Sequence, residues 1–253
     1  MKRPPAILPI EDLDGEPYAS VLCYPRAEDD EVERRISELK QLGVTEIEFI
    51  GDGLAGGMPV LGKGYVGVVV IAYVNDERFA LKMRRTDGGR ENFYHEAEML
   101  QKANAAGVGP KFEAVSGNFL LSQIIGGGTL AQWMDKNRSG TEFRRVLKDI
   151  LEQCRRLDDA GIDHGELSKA PKHILMDANG KPFLIDFETA SDSRRANNVS
   201  SVCQFLFLSN SEASKLITEV IGGKDRAAIV KAVKEHKKER TKETFETLLR
   251  ACI

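Results

Sequence analysis

What is scarce in this chain narrows the field first. The four cysteines, Cys23, Cys154, Cys203 and Cys252, are scattered, with no Cys-x-x-Cys spacing. That argues against a zinc site and suits reduced thiols in a cytosolic protein. Long apolar runs are missing: the longest, Val66 to Val74, is interrupted by Gly67 and is far too short to cross a bilayer. Charge of one sign is missing too. The formal net charge is −3, which makes no global case for nucleic acid or an anionic membrane. Met1-Lys2-Arg3-Pro4-Pro5 lacks the apolar segment of a signal peptide, and there is no internal repeat or low-complexity tract.

What is present supports a sizeable core. Of the 253 residues 42% are hydrophobic and 30% charged, enough for one large domain or two lobes. Residues 1–55 read as a separate-looking α/β extension. Val21 to Tyr24 has the composition of a short strand. Asp29 to Leu42 sets Val32, Ile36 and Leu39 at helical spacing before Gly43. Thr45 to Ile50 alternates Ile47 and Phe49 with Glu46 and Glu48, as a half-buried strand does. Gly51 to Gly57, rich in glycine, reads as a flexible connection.

A strand-rich section follows, with Val66 to Tyr73 and Arg78 to Met83 joined by the turn Asn75-Asp76-Glu77. The spacing predicts a helix over Arg90 to Asn104, closed by Gly107, and then strands over Phe112 to Val115 and Asn118 to Ile125. Beyond Gly126-Gly127-Gly128 the chain is mostly helical. Ser139 and Glu142 form a capping-box pattern. Phe143, Val146, Leu147, Ile150, Leu151, Cys154 and Leu157 make a broad stripe that ends at Gly161. His173 to Asp177 and Pro182 to Phe187 flank Asn179-Gly180, a hairpin signal. Three or four helices are expected from Ala196 onward, with a break at Gly222-Gly223.

Three strings carry chemistry. Gly62-Lys63-Gly64-Tyr65-Val66-Gly67-Val68-Val69 is a Gly-x-Gly-x-x-Gly-x-Val turn. In dinucleotide sites the last glycine of such a turn opens a helix; here Val68 to Ile71 continue as strand. Phe79-Ala80-Leu81-Lys82 ends a strand in a lysine. Of the following helix's Glu91, Glu96 and Glu98, only Glu96 lies at the edge of the apolar stripe, able to look inward toward that lysine. The third string runs Ile162-Asp163-His164-Gly165-Glu166-Leu167, then His173-Ile174-Leu175-Met176, then Leu184-Ile185-Asp186-Phe187.

Over roughly residues 58–210 these strings resemble the protein-kinase superfamily. They are closest to its small atypical members: the RIO family, the kinase of the KEOPS complex, and a group of predicted serine/threonine kinases common in archaea. Those carry His-Gly-Asp-Leu, where this chain has His164-Gly165-Glu166-Leu167. The resemblance implies an α+β, protein-kinase-like bilobal fold. Its parts would be an N-terminal α/β extension (1–55), a small β-rich lobe with its hinge (56–126) and a mostly helical lobe (127–253).

It also implies roles. Gly62, Gly64 and Gly67 would cover ATP phosphates through backbone N–H groups. Lys82 would grip the α/β-phosphates, paired with Glu96. Val69 and Ala80, with Leu61, would cover the adenine, and Gln123 to Ile125 would read its edge. Asp186 would hold Mg²⁺, and His173 stands where the family places a second metal ligand. Imidazole suits Mg²⁺ poorly, so either one metal is used, or His173 only hydrogen-bonds, or a softer ion such as Mn²⁺ is preferred. Glu166 takes the general-base position, with a two-residue insertion before His173; without that gap Ser168 would sit there and no base would exist. Lys169 or Lys172 would reach the γ-phosphate.

Glu188 stands where the family usually has glycine, and no Ala-Pro-Glu segment follows Phe187. The expected activity is a cytoplasmic serine/threonine protein kinase or autokinase. A nucleotide-binding pseudokinase and a small-molecule kinase are the other readings. Lys231, Lys234, Lys237, Lys238, Arg240 and Lys242, interleaved with glutamates, read as a solvated helix face or, as a minority view, an RNA or ribonucleoprotein contact.

Overall fold

Alternating strand patterns early in the chain and helical stripes later produce an α+β structure with a mostly antiparallel sheet. The computed structural model describes residues 4–253, without the side chains of residues 169–171. The chain divides into two units, the first Met1–Glu98 with Lys111–Ile124 and the second Met99–Pro110 with Ile125–Ile253.

In order along the chain, the first unit contains β1 (Ala6–Pro9), α1 (Tyr18–Leu22), α2 (Asp29–Gln41), β2 (Val44–Phe49), β3 (Gly53–Ala55), β4 (Met58–Val60), β5 (Gly62–Lys63), β6 (Gly67–Val74) and β7 (Glu77–Arg84). α3 (Tyr94–Ala105) follows, then β8 (Phe112–Val115) and β9 (Phe119–Ser122). The strands form an antiparallel sheet in the order β1-β2-β6-β7-β9-β8, with β5 also paired to β6. The first 55 residues are thus built into this sheet rather than set apart from it.

Apolar residues on β6 explain its central place: the β-branched Val68 and Val70, with Ala72, alternate onto one face and meet Leu81, Met83, Phe119 and Leu121. α1 and α2 cover that face with Val21, Leu22, Val32 and Leu39. On the opposite face Phe93 and Ala97 pack with Leu120 and Val66. Asn75 and Asp76 both have positive φ, 50° and 64°, and Val74 pairs with Glu77. The β6–β7 turn therefore has a two-residue primed-type loop, which tolerates Asn and Asp best after glycine.

Several local expectations fail here. Val21 to Tyr24 is not a strand; Val21 and Leu22 end α1, because a four-residue apolar run has no period of its own to choose by. Gly51 to Gly57 is not a loose connection. It contains β3 and the Gly56-Gly57 turn of a small hairpin with β4. α3 begins at Tyr94, not Arg90: Asn92 Oδ1 accepts from the Tyr94 N–H, and the Phe93 N–H goes to the Gly117 carbonyl. Arg35, in mid-helix, is fully buried. Its guanidinium donates to Glu31, to the carbonyls of Leu22 and Arg84, and to Asn118 Oδ1, so each of its three nitrogens has an acceptor in the core.

The second unit contains α4 (Leu130–Lys136), α5 (Gly140–Asp159), the hairpin β10 (Ile174–Met176) and β11 (Pro182–Leu184), and α6 (Asn198–Cys203). A π turn over Gln204–Leu208 leads to α7 (Glu212–Ile221), α8 (Arg226–Glu239) and α9 (Lys242–Cys252). The α5 stripe from Phe143 to Leu157 is buried throughout. Its capping box is half made: Ser139 Oγ accepts from the Glu142 N–H, but the Glu142 carboxylate turns to Arg145 instead. Gly222, with φ 89°, closes α7. On α8 and α9 the exposed lysines stand beside glutamates, Lys231 with Glu235 and Lys242 with Glu246, both at 3.9 Å. All four cysteines are free and buried. Among the described residues no helix is long and apolar enough to cross a membrane.

Candidate functional site

In the first unit the site is built on β6 and β7. Val69 faces Lys82 across the strands and Ile71 faces Ala80, so all four side chains share the sheet face turned away from the α1–α2 core. Lys82 Nζ donates to both oxygens of Glu96, at 2.8 and 2.9 Å. The pair is mostly buried, with side-chain exposures of 17% and 7%, and the Phe93 ring lies 5.5 Å from the ammonium. Glu91 and Glu98 are exposed. Glu91 precedes α3, and helical geometry separates the other two, since Glu96 is on the side that α3 turns toward the sheet and Glu98 is not.

The three glycines differ in what they face. A Cβ on Gly67 would meet the Met83 carbonyl oxygen at 2.9 Å and Lys82 Cγ at 3.1 Å, so the neighbouring strand itself demands glycine there. A Cβ on Gly62 would meet nothing within 4 Å, and one on Gly64 only the Gly67 carbonyl oxygen at 3.8 Å. The turn is closed by the Gly64 N–H donating to that carbonyl at 2.8 Å. Arg85 Nη1 donates to the Gly64 carbonyl, and Tyr65 at the tip is 80% exposed. The Tyr24 ring is near two cations of this region, Lys63 Nζ at 5.2 Å and the Arg85 guanidinium at 5.1 Å from its centre. Leu61 is 40% exposed, and Val69 and Ala80 are half-buried. The Gln123 N–H donates to the Lys111 carbonyl, so that backbone donor is already used.

In the second unit the β10–β11 hairpin sets the geometry. Ile174 pairs with Leu184, and the Ile185 N–H donates to the His173 carbonyl, so His173 and Asp186 emerge from the same end of the hairpin. His173 Nδ1 lies 3.6 Å from Asp186 Oδ2, and His173 Nε2 lies 3.0 Å from Glu166 Oε2. Both carboxylate side chains are 30% exposed while that of His173 is 9% exposed. His173 Nδ1 is buried and makes no hydrogen bond among the described residues. Asp186 has φ 69°. The other non-glycine residues with positive φ are the β6–β7 turn pair and Arg240, the C-cap of α8. Asp186 serves neither purpose, and a strained backbone outside a turn marks a functional candidate.

A buried scaffold that sequence reasoning missed holds this end of the hairpin. His164 is fully buried, with Nε2 donating to the Ile185 carbonyl next to Asp186 and its ring against Phe187. Burial pushes the imidazole down to about 4, so it is neutral with its proton on Nε2. The His164 N–H donates to Asn198 Oδ1, and Asn198 Nδ2 donates to Asp158 and to the Ile162 carbonyl. Asp158 also accepts the N–H groups of Asn198 and Val199. Burial raises the Asp158 carboxyl above its ordinary range, and these hydrogen bonds oppose that rise. Gly165, at φ 88°, has no room for a side chain: a Cβ would meet Thr189 Oγ1 at 2.8 Å and Arg194 Nη2 at 2.9 Å. Lys172 is exposed, and the Lys169 side chain lies outside the described residues.

Compared with known proteins, the chain matches no family model and no curated protein sequence. What the site can do is therefore read from its own geometry. The first unit offers a positioned ammonium beneath a glycine turn with open space at two of its glycines, suited to an anion. The second offers two carboxylates on either side of one imidazole, suited to a divalent cation and to accepting a proton.

Proposed function

We propose that the chain is an ATP- and divalent-metal-dependent phosphotransferase of the atypical serine/threonine kinase kind, on a kinase-like bilobal fold. The observation that carries this reading is the two-pronged Lys82–Glu96 pair. Protein kinases need a strand lysine paired with a helix glutamate to hold the α/β-phosphates. The space at Gly62 and Gly64 supports it, because these glycines answer no steric need of the protein and would let phosphate approach the backbone. Val69 and Ala80, half-buried on the face that bears Lys82, suit a purine ring. With the Gln123 N–H committed, Ile125 is the residue left to read the adenine edge.

The second unit fits a divalent ion, since Asp186 stands beside a buried nitrogen with no hydrogen bond. Asp186 and His173 would hold the ion, whose charge would offset that of the phosphates. Glu166 would accept the proton of the acceptor hydroxyl, and Lys169 would steady the transferred group. The test is nucleotide binding followed by transfer from labelled ATP to the protein itself, to protein acceptors and to a metabolite panel. Wild type should bind metal–ATP and transfer label, and Asp186→Asn should weaken binding while the protein stays folded. ATP affinity unchanged in both folded Lys82→Met and Asp186→Asn would remove the reading.

A second reading, an ATP-binding pseudokinase that acts as a scaffold, is favoured by one distance. Glu166 Oε2 already faces His173 at 3.0 Å, which engages one of the two oxygens a base would use. Tight ATP binding with no transfer to any acceptor is its signature.

A further inference from the structure

We infer that Glu166 also holds the Nε2 side of His173, so that Nδ1 is the bare nitrogen turned toward Asp186, and that the site takes a nitrogen-accepting divalent ion in preference to Mg²⁺. The inference rests on the phosphotransfer reading for the presence of a divalent ion, and deepens it by assigning the ion's class and the residue that selects it.

The geometry points one way around the ring. Nε2 is 3.0 Å from Glu166 Oε2, a distance at which an N–H donates to a carboxylate. In neutral imidazole one nitrogen carries the proton and the other a lone pair. With the proton toward Glu166, the lone pair is on Nδ1, the atom that is buried and unbonded and lies 3.6 Å from Asp186 Oδ2. A carboxylate behind a histidine is the usual device for orienting a ligating imidazole and raising its basicity. The ring cannot turn freely to present the other nitrogen. Its side chain is only 9% exposed, and His164 stands edge-on to it at 5.8 Å between ring centres. A site with one imidazole nitrogen and one carboxylate oxygen suits Mn²⁺, Co²⁺ or Zn²⁺ better than Mg²⁺, which prefers oxygen donors and water. Glu166 is on this account a positioning residue for the ion, in addition to the proton acceptor proposed above.

The experiment measures Mn²⁺ binding without nucleotide, by the loss of the free-ion electron paramagnetic resonance signal, with Mg²⁺ as competitor. Wild type should bind Mn²⁺ more tightly than Mg²⁺. Glu166→Ala should weaken Mn²⁺ about tenfold or more, the usual loss when such a supporting carboxylate is removed. Glu166→Gln should weaken it less, because the amide oxygen still accepts from Nε2–H. His173→Asn should move the preference toward Mg²⁺. Unchanged Mn²⁺ affinity in folded Glu166→Ala overturns the inference, as does an ion preference identical in wild type and His173→Asn. Failure of the phosphotransfer reading looks different: there ATP affinity ignores Lys82 while the Mn²⁺ titration still responds to Glu166 and His173.

Discussion

The two charged clusters, one in each unit, solve opposite problems. In the first unit Lys82 and Glu96 form a closed pair, in the sense that two opposite charges meet directly at 2.8 Å. In the second unit Glu166, His173 and Asp186 form an open row, with an imidazole nitrogen that nothing among the described residues satisfies. A closed pair needs no ligand to be stable, so its purpose is position. An open row is costly until something completes it, so its purpose is capture. Under the proposed phosphotransfer reading the difference would follow the chemistry too: the lysine pair would keep the kinase pattern, and the row would depart from it at Glu166 and His173, where metal preference and proton transfer would be decided.

The largest expected effect falls on the open row. Glu166→Gln should lower phosphoryl transfer by about 10²-fold or more, the scale of a lost general base. Nucleotide affinity should be kept. Glu166→Asp should lose activity as well, since the loop is adapted to the longer side chain. Transfer that survives Glu166→Gln intact would make the row a metal site and nothing more. It would also take away the two-residue insertion on which Glu166's base position rests.

The closed pair should respond in stability as well as in binding. Lys82→Met withdraws the ammonium from a nearly buried carboxylate, at a cost on the order of 3 kcal/mol. Chemical denaturation should show this, and Lys82→Met combined with Glu96→Leu should recover part of it. If the single variant is as stable as wild type, Glu96 does not depend on Lys82 and the contrast between closed pair and open row loses its force.

Acid should loosen the scaffold behind the open row. The neutral His164 refuses in the folded state a proton that the unfolded chain accepts near 6.5. Its contribution is therefore present above that pH and is lost as the pH falls toward 4, amounting to about 3 kcal/mol over the full range. His236, also lowered by burial, acts in the same sense, and Asp158, raised by burial, acts against both. Melting temperatures from pH 7 to 4 should accordingly fall less steeply for His164→Asn than for wild type, even though the variant starts lower. Parallel slopes would mean that His164 is not the proton-refusing group.

The smallest effects separate glycines within the first unit. Gly67→Ala should cost about 1–3 kcal/mol, because the new methyl meets a strand carbonyl. Gly64→Ala should change stability by less than about 0.5 kcal/mol, yet weaken ATP. Equal ATP affinity in Gly64→Ala and wild type would leave the open space at that turn without a ligand to explain it.

Much of this was legible in the sequence, for identifiable reasons. The α5 stripe and the β10–β11 hairpin were readable because long periodic segments and an Asn-Gly turn leave few alternatives. Glu96 could be picked from three glutamates because helix geometry sends only one toward β7. Short segments were not legible: Val21 and Leu22 fit a strand as well as a helix, and the glycines of 51–57 hid a hairpin. The buried Arg35 was invisible, since its partners lie as far away in sequence as Arg84 and Asn118. The same holds for the Asp158–Asn198–His164 network, whose hydrogen bonds join residues 34 to 41 positions apart. The approach of Glu166 to His173 depends on how the segment between them folds back, and residue types alone do not give that.

The contacts of the Tyr24 ring with Lys63 and Arg85 have a consequence for rate. Each cation–π contact at an exposed site is worth about 0.5–1 kcal/mol, so the phenol ring restrains the glycine turn by roughly 1–2 kcal/mol in all. That is a factor of about five to thirty in how often the turn lifts. Such a restraint is a brake rather than a latch: the turn still opens on the timescale of ordinary loop motion, but closed intervals outlast open ones. Tyr24 would thereby set the dwell time of a ligand beneath the turn, and a change at Tyr24 should appear first in the association and dissociation rates of that ligand.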